Sequence, residues 1–379
     1  MKFSHFAAIF LSIIIVMSAF LGFVVQYSKP VSSTEIYVGI YAGSTELVDL
    51  KSLITEVKNY TNLFVVGSMA ITLDYSKLTE ICQQLDSEGL KFLVFEHPYD
   101  GMPFAQWVRE ANQKWSQHFL GLYAYDEPGG YQIERTEYMA VKQADNYSDA
   151  ADKYVANITD WLNQLRTYSG TDLPMYTSDY VFYEFDYRAG YDAVFTQFGW
   201  NHSRPLQVAL CRGAATLHDK PWGAIITYEN TQPPYYESGQ QMYQDMVYAY
   251  ENGAKYILLF DYDKNTTRTA LQTEHLEALE EFWQYVRDNP RANNTPMGRI
   301  AFVLPKDYGF GFRTSNDRIW GLWEPDELSN NIWHQAHSLL RQYGTNLDII
   351  YEDTIQIGIN TYDQLIYWNG TIQTTAIAK

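Results

Sequence analysis

Between residues 35 and 288 the chain repeats one short pattern, in which a β-rich apolar run is followed by a helical, mostly amphipathic stretch. The apolar runs are Ile36 to Tyr41, Leu63 to Gly67, Leu90 to Phe95, Leu120 to Tyr125, Pro174 to Thr177, Ala193 to Gln197, Gly223 to Tyr228 and Tyr256 to Phe260. Strands that alternate with helices pair in parallel, because each crossover carries the chain back to the end of the sheet where it began. Eight such units in about 255 residues match a (β/α)8 barrel, an α/β fold whose functional groups gather where the strands end. An open doubly wound sheet is the competing arrangement. Against it, no G-x-G-x-x-G follows the first strand and no G-x-x-x-x-G-K-[ST] occurs.

The expected helices are Glu46 to Asn59, Ser76 to Glu88, Phe104 to Gln117, Asp149 to Tyr168, Gly239 to Asn252 and His275 to Asp288. Two more are poor. Val181 to Arg188 is short and aromatic, and Arg204 to Leu217 carries Pro205 and Gly213. A polar linker, Asn289 to Pro296, leads into Arg299 to Pro305, a helix near Asn331 to Tyr343, Leu347 to Tyr351, and Asp363 to Trp368. At about eighty residues this small α/β domain is near the lower limit for folding alone, so it is expected to pack against the barrel. The expected organisation is a signal anchor or signal peptide over residues 1–30, a barrel over 31–292 and the small domain over 297–379.

Phe6 to Val25 is an uncharged stretch preceded by Lys2 and followed by the polar residues Gln26 to Pro30. It is longer than a usual signal core, suits one bilayer span and has no clean A-x-A site after it, which favours an uncleaved signal anchor over a cleaved secretory signal. With Lys2 as the flanking charge, the body is expected on the extracellular face of the membrane; secretion is the alternative. N-x-S/T sequons at Asn59, Asn146, Asn157, Asn201, Asn265, Asn293 and Asn369 fit an exported glycoprotein. Cys82 and Cys211 make no disulfide framework and read as buried thiols. A formal net charge of -18 argues against nucleic acid, which is bound by Lys and Arg replacing counterions.

The segment from Phe119 to Gly130 is an apolar strand that ends in Asp126-Glu127 and a Pro-Gly-Gly turn. A carboxyl sheltered at a strand end can have its pKa raised toward neutrality, as a proton donor requires; alternatively the two acids merely cap the next helix. Residues just after the other strands would share the same basin. These are Glu96 and His97 after strand three, Asp179 after strand five, Gln197 and Trp200 after strand six, Glu229 after strand seven with Glu237 farther along its loop, and Asp261 and Asp263 after strand eight. Aromatics make up 16% of the chain, and Trp200, Tyr235 and Tyr236 could serve as stacking platforms for sugar faces. His334 and His337 share a helix but lack a third ligand, and the segment Asp261 to Asn265 lacks the glycine and final glutamate of a calcium loop, so no metal is expected. Acyl-transfer triads have no support, since no G-x-S-x-G occurs.

On these residues the barrel resembles a glycoside hydrolase of the large retaining (β/α)8 clan, in which an acid/base Glu follows strand four and a nucleophilic Glu follows strand seven. Glu127 and Glu229 match by strand and residue type. The C-terminal piece is also similar to the small domain after the barrel in some β-galactosidase-like enzymes. The resemblance implies a carbohydrate substrate, a two-carboxylate mechanism and no cofactor. It departs at Asp126, where the clan usually has Asn; an ionised Asp only accepts hydrogen bonds, and its charge would raise the pKa of Glu127. Asp126, Glu96, Asp179, Gln197, Trp200, Tyr235, Glu237 and Asp261 are the expected substrate contacts. The rival expectation is an inactive barrel that binds glycan or serves as a structural protein of the cell envelope.

Overall fold

A computed structural model describes residues 35–96, 101–135, 139–170, 172–291, 298–355 and 361–374. The expected anchor over Phe6 to Val25, and His97, lie outside these residues. Among those described, no helix is long and apolar enough to cross a membrane.

Eight parallel strands close into a barrel in sequence order, with β8 hydrogen-bonded back to β1. They are β1 (Tyr37–Ala42), β2 (Leu63–Val66), β3 (Lys91–Phe95), β4 (Phe119–Tyr123), β5 (Met175–Asp179), β6 (Ala193–Phe198), β7 (Trp222–Ile226) and β8 (Tyr256–Asp261). Each strand is buried on both faces, which is why the runs read as nearly continuous apolar segments. Alternate residues then separate into two cores. Tyr41, Leu63, Val65, Leu93, Tyr123, Tyr176, Phe195, Ile225, Tyr256 and Leu258 belong to a cluster that fills the barrel. Val38, Ile40, Phe64, Phe92, Val94, Leu122, Val194, Ile257 and Leu259 join the larger cluster beneath the helices.

The outer layer comprises α1 (Leu47–Val57), α2 (Met69–Thr72), α3 (Tyr75–Ser87), α4 (Gly101–Lys114), α5 (Pro128–Glu134), α6 (Tyr147–Ser169), α7 (Tyr183–Ala189), α8 (Arg204–Leu217), α9 (Gly239–Glu251) and α10 (Thr273–Asp288). Pro205 and Gly213 do not spoil α8. Proline sits in its first turn, where a backbone N–H has no intrahelical partner in any case. Gly213 lies against the second sheet, and a Cβ there would come within 2.5 Å of the Ile349 carbonyl oxygen. The Pro-Gly-Gly expected as a turn instead opens α5. Cys82 and Cys211 are free and buried.

Beyond the barrel, β9 (Ile300–Leu304), β10 (Leu347–Tyr351), β11 (Gln364–Tyr367) and β12 (Ile372–Thr374) form a sheet in the order β10-β9-β11-β12, crossed by α11 (Glu327–Tyr343). The first three strands are parallel, and β12 adds an antiparallel edge that the sequence pattern did not announce. This sheet shares one compact unit with the barrel. At the seam the buried Arg212 of α8 donates to Asp348 Oδ1 at 2.7 Å, to the carbonyls of Thr345 and Leu347, and to Asn252. Tyr362 donates to the other Asp348 oxygen at 3.0 Å. A second tie runs from Arg188 of α7 to Asp307 and Asp353, at 3.0 and 2.9 Å. The Trp320 ring packs 4.5 Å from Phe185 and 4.8 Å from Phe182, and its carbonyl accepts from Gln132 of α5.

Candidate active site

A cavity of about 220 Å³ opens at the C-terminal ends of the strands. Its floor and walls come from Tyr41, Tyr123, Ile225, Thr227, Tyr228, Phe260 and Trp200, and its polar groups are Asp126, Glu127, Ser178, Gln197 and Lys264. Lys264 Nζ stands 4.5 Å from the Tyr228 ring centre and 5.5 Å from that of Trp200. Aromatic faces beside a cluster of hydrogen-bonding groups suit a ligand that is apolar on one side and hydroxylated at its edges.

Glu127 reaches the cavity through an unusual backbone. Tyr125 and Glu127 both adopt left-handed conformations, at φ 52° and 51°. For residues with a Cβ this costs about 1–2 kcal/mol each, and it persists only where surrounding contacts enforce it. The enforcement comes from β5. Glu127 N–H donates to the Ser178 carbonyl at 3.0 Å, and Asp179 accepts from the N–H groups of Gly129 at 2.5 Å, Gly130 at 3.2 Å, Tyr180 at 2.8 Å and Val181 at 3.2 Å. A Cβ on Gly129 would lie 2.8 Å from Asp179 Oδ2, and one on Gly130 would lie 2.7 Å from the Tyr180 ring, so both positions need glycine.

This arrangement decides between the two readings of Asp126-Glu127. Glu127 occupies the residue before α5, yet its side chain makes no capping bond. Asp179 caps that helix from the neighbouring strand. The Glu127 carboxyl is left to face the cavity, where Gln197 Nε2 donates to it at 2.7 Å. Gln197 also donates to Ser178 Oγ at 3.1 Å, and its buried Oε1 has no partner among the described residues. Asp126 Oδ1 accepts from Tyr123 Oη at 2.5 Å and from Ser178 Oγ at 3.0 Å.

The two carboxyls differ in what shelters them. Burial raises both pKa values, but at Asp126 the two donated hydroxyl bonds oppose that rise. Burial and then the neighbouring Asp126 charge push Glu127 up to about 7, with Gln197 opposing weakly. The Asp126 charge thus helps Glu127 keep its proton near neutrality, as a carboxyl acting as an acid requires.

Of the residues expected from sequence, the structure brings Asp126, Glu127, Gln197 and Trp200 to the cavity. The others lie elsewhere, for two reasons. The first is strand parity. Phe95, Ser178 and Phe260 share the inward phase, so their successors Glu96, Asp179 and Asp261 point toward the helices. Glu96 is buried against α4 and α6 beside Trp161, where burial lifts its pKa to about 8. Asp179 is the cap described above, and Asp261 accepts from Thr269, Ala270 and Leu271 to hold the loop after β8.

The second reason is Arg204. Glu229 accepts from Asn201 N–H at 2.6 Å and lies 3.5 Å from Arg204, which also meets Glu237 at 3.4 Å and Asp245 at 3.0 Å. Neither Glu229 nor Glu237 is on the cavity lining. Glu229 instead fixes the turn at Trp200 and Asn201, both left-handed, and so sets the aromatic wall. Tyr235 donates to Asp263 at 3.1 Å and is a loop brace. Tyr41, Tyr123, Ser178, Thr227, Tyr228 and Lys264 were not anticipated. Counting by twos reaches Ser178 from Tyr176 and Thr227 from Ile225, but only once the structure shows that these two face inward.

No family model and no curated protein sequence matches the chain. Among solved structures it is similar to α-L-fucosidase isoenzyme 2 from Paenibacillus thiaminolyticus, at 11% identity and a TM-score of 0.50, over 87% of this chain and 59% of that one. The chain thus spans about three fifths of that structure's length. A mannanase from Bacillus subtilis aligns at 10% identity and a TM-score of 0.43, over 65% of this chain and 85% of its own. A 3-keto-L-gulonate-6-phosphate decarboxylase from Vibrio cholerae aligns at 11% and 0.36, over 66% and 100%. At these identities the likeness is one of fold, and function must be argued from the site.

Proposed function

We propose that this barrel is a glycoside hydrolase in which Glu127 is the general acid and base. One observation carries the reading: a carboxyl at the end of β4, released from helix capping by Asp179, faces an aromatic-walled cavity and holds its proton up to about pH 7. Glu127 would protonate the glycosidic oxygen as the bond to the anomeric carbon breaks. Once ionised, it would take a proton from the incoming water. Gln197 keeps the carboxyl in place, while Trp200, Tyr228 and Tyr41 give the sugar ring apolar surfaces. The fold similarity to a fucosidase is compatible with this and does not select a sugar. Export and membrane anchoring rest on Phe6 to Val25 and the sequons alone.

The test is hydrolysis of a glycan panel by the full chain and by Glu127→Gln, which preserves shape but cannot donate the acidic proton. The variant is expected to fold and to lose activity on natural glycosides by about 10²–10⁴-fold, the usual worth of a positioned acid. The loss should shrink on substrates whose leaving groups need little protonation. Full turnover by Glu127→Gln would overturn the assignment. Sugar binding without turnover by the wild type would make this a binding barrel.

A further inference from the structure

The site has an acid but, among the described residues, no carboxylate placed opposite it. Glu229 and Glu237 are engaged by Arg204 away from the cavity lining, and the other carboxyl in the cavity is Asp126. Asp126 cannot work from the far side of a sugar. Its Cα is about 3.8 Å from that of Glu127, whereas a base that activates water must stand across the ring, about 6.5–9.5 Å from the acid. An attacking group carried by the substrate itself would fill that role.

Asp126 is suited to holding such a group. Oδ1 is fixed by Tyr123 and Ser178, and no hydrogen bond from a described residue engages Oδ2. An ionised carboxylate accepts and does not donate, so its natural partner in a ligand is an N–H or O–H beside the scissile bond. The acceptor Gln197 Oε1, buried and without a partner among the described residues, offers a second contact for a sugar hydroxyl.

Resting on Glu127 as the acid, we infer that the substrate is a glycoside of a 2-acetamido sugar, whose amide oxygen attacks the anomeric carbon while Asp126 accepts the amide N–H. In the first step the amide oxygen bonds to C1 and the bond from C1 to the leaving oxygen breaks. The departing electron pair takes the proton of Glu127, and Asp126 balances the positive charge on the cyclised amide. In the second step water adds to C1 and gives a proton to Glu127, and the bond between C1 and the amide oxygen breaks to restore the acetamide. Sugar and alcohol are the products, with the anomeric configuration retained. Attack from behind requires the amide trans to the leaving group, which selects β-glycosides in the gluco and galacto series.

The test uses the full chain and 4-methylumbelliferyl β-glycosides of N-acetylglucosamine, N-acetylgalactosamine, glucose and galactose. Cleavage of an acetamido sugar is expected, with its parent sugar slower by more than about a hundredfold, since loss of a reacting group removes stabilisation found only in the transition state. Replacing N-acetyl by N-trifluoroacetyl weakens the amide oxygen as a nucleophile and should slow wild-type turnover by more than about tenfold. This arm needs no variant to fold. Asp126→Asn should lose more on the acetamido sugar than on the parent. Equal cleavage of parent sugars, or indifference to fluorination, would overturn the substrate class and leave Glu127 as the acid. Cleavage of none of the four would overturn the substrate class, and the glycan panel with Glu127→Gln would then decide separately whether Glu127 is the acid.

Discussion

The mouth of the barrel and the seam beneath its second sheet treat buried acids in opposite ways. At the seam, Asp348 has a guanidinium on one oxygen and a tyrosine hydroxyl on the other, and Arg212 is surrounded by acceptors. At the mouth, Asp126 and Glu127 sit together with hydroxyl and amide donors and with no cation in ion-pair reach among the described residues. The seam pair is a solved electrostatic problem, and its charge does nothing except hold two layers in register. The mouth pair is left unsolved, so a proton can come and go there.

Substitution should separate the two regions sharply. Arg212→Met leaves Asp348 buried without its cation and is expected to lower unfolding free energy by about 3–5 kcal/mol, read by urea denaturation. Glu127→Gln should leave stability unchanged or raise it, because it removes a buried ionisable group that lacks a counter-charge. A Glu127→Gln protein less stable than Arg212→Met would dissolve the comparison.

The pH dependence sharpens it further. A Glu ordinarily ionises near 4.5, and in the fold Glu127 holds its proton up to about 7. Between those values the folded chain binds more protons than the unfolded chain, so this group lowers stability as pH rises from about 4.5 to about 7. Unfolding free energy measured across that window should fall more steeply for the wild type than for Glu127→Gln. The same proton should give kcat/KM an alkaline limb near pH 7 that the variant lacks. A wild type and variant with parallel stability profiles would remove the elevated pKa from the account.

Glu229→Gln carries the smallest expected effect. If Glu229 only anchors the Trp200 turn through Asn201 and Arg204, the change weakens two charged hydrogen bonds, each worth about 1.5–3 kcal/mol at most, and shows mainly as a higher KM. Collapse of kcat by several orders of magnitude would restore it as the nucleophile.

The eight strands were legible because each is a nearly unbroken apolar run, and that legibility hid the site. A strand buried on both faces shows no alternation of polar and apolar residues. Nothing in the run Leu90 to Phe95 says that Glu96 turns outward, or in Met175 to Asp179 that Ser178 rather than Asp179 meets the cavity. Glu127 stood out through its place after β4 and its Pro-Gly-Gly neighbours. The reason those glycines are required, Asp179 and Tyr180 pressing on them, comes from β5 some fifty residues away. Arg204 was invisible for the same reason, since its three carboxylate partners lie on the loop after β7 and on α9, 25 to 41 residues farther along the chain. In the small domain, β12 escaped notice because its residues are exposed along a short edge.

Helix α8 has one further consequence. Its first residue, Arg204, steadies the Trp200 wall, and two turns later Arg212 and Gly213 receive the second sheet. A glycine within a helix weakens it by about 1 kcal/mol relative to alanine unless something covers it. A chain cut before residue 298 would uncover that glycine and strip Arg212 of Asp348 and its carbonyls on the same helix that supports the mouth. Barrel and sheet are therefore not interchangeable modules, and the barrel cannot be transplanted alone with its pocket intact. Heating the whole protein should give a single calorimetric transition, with loss of activity and loss of the second sheet at one temperature.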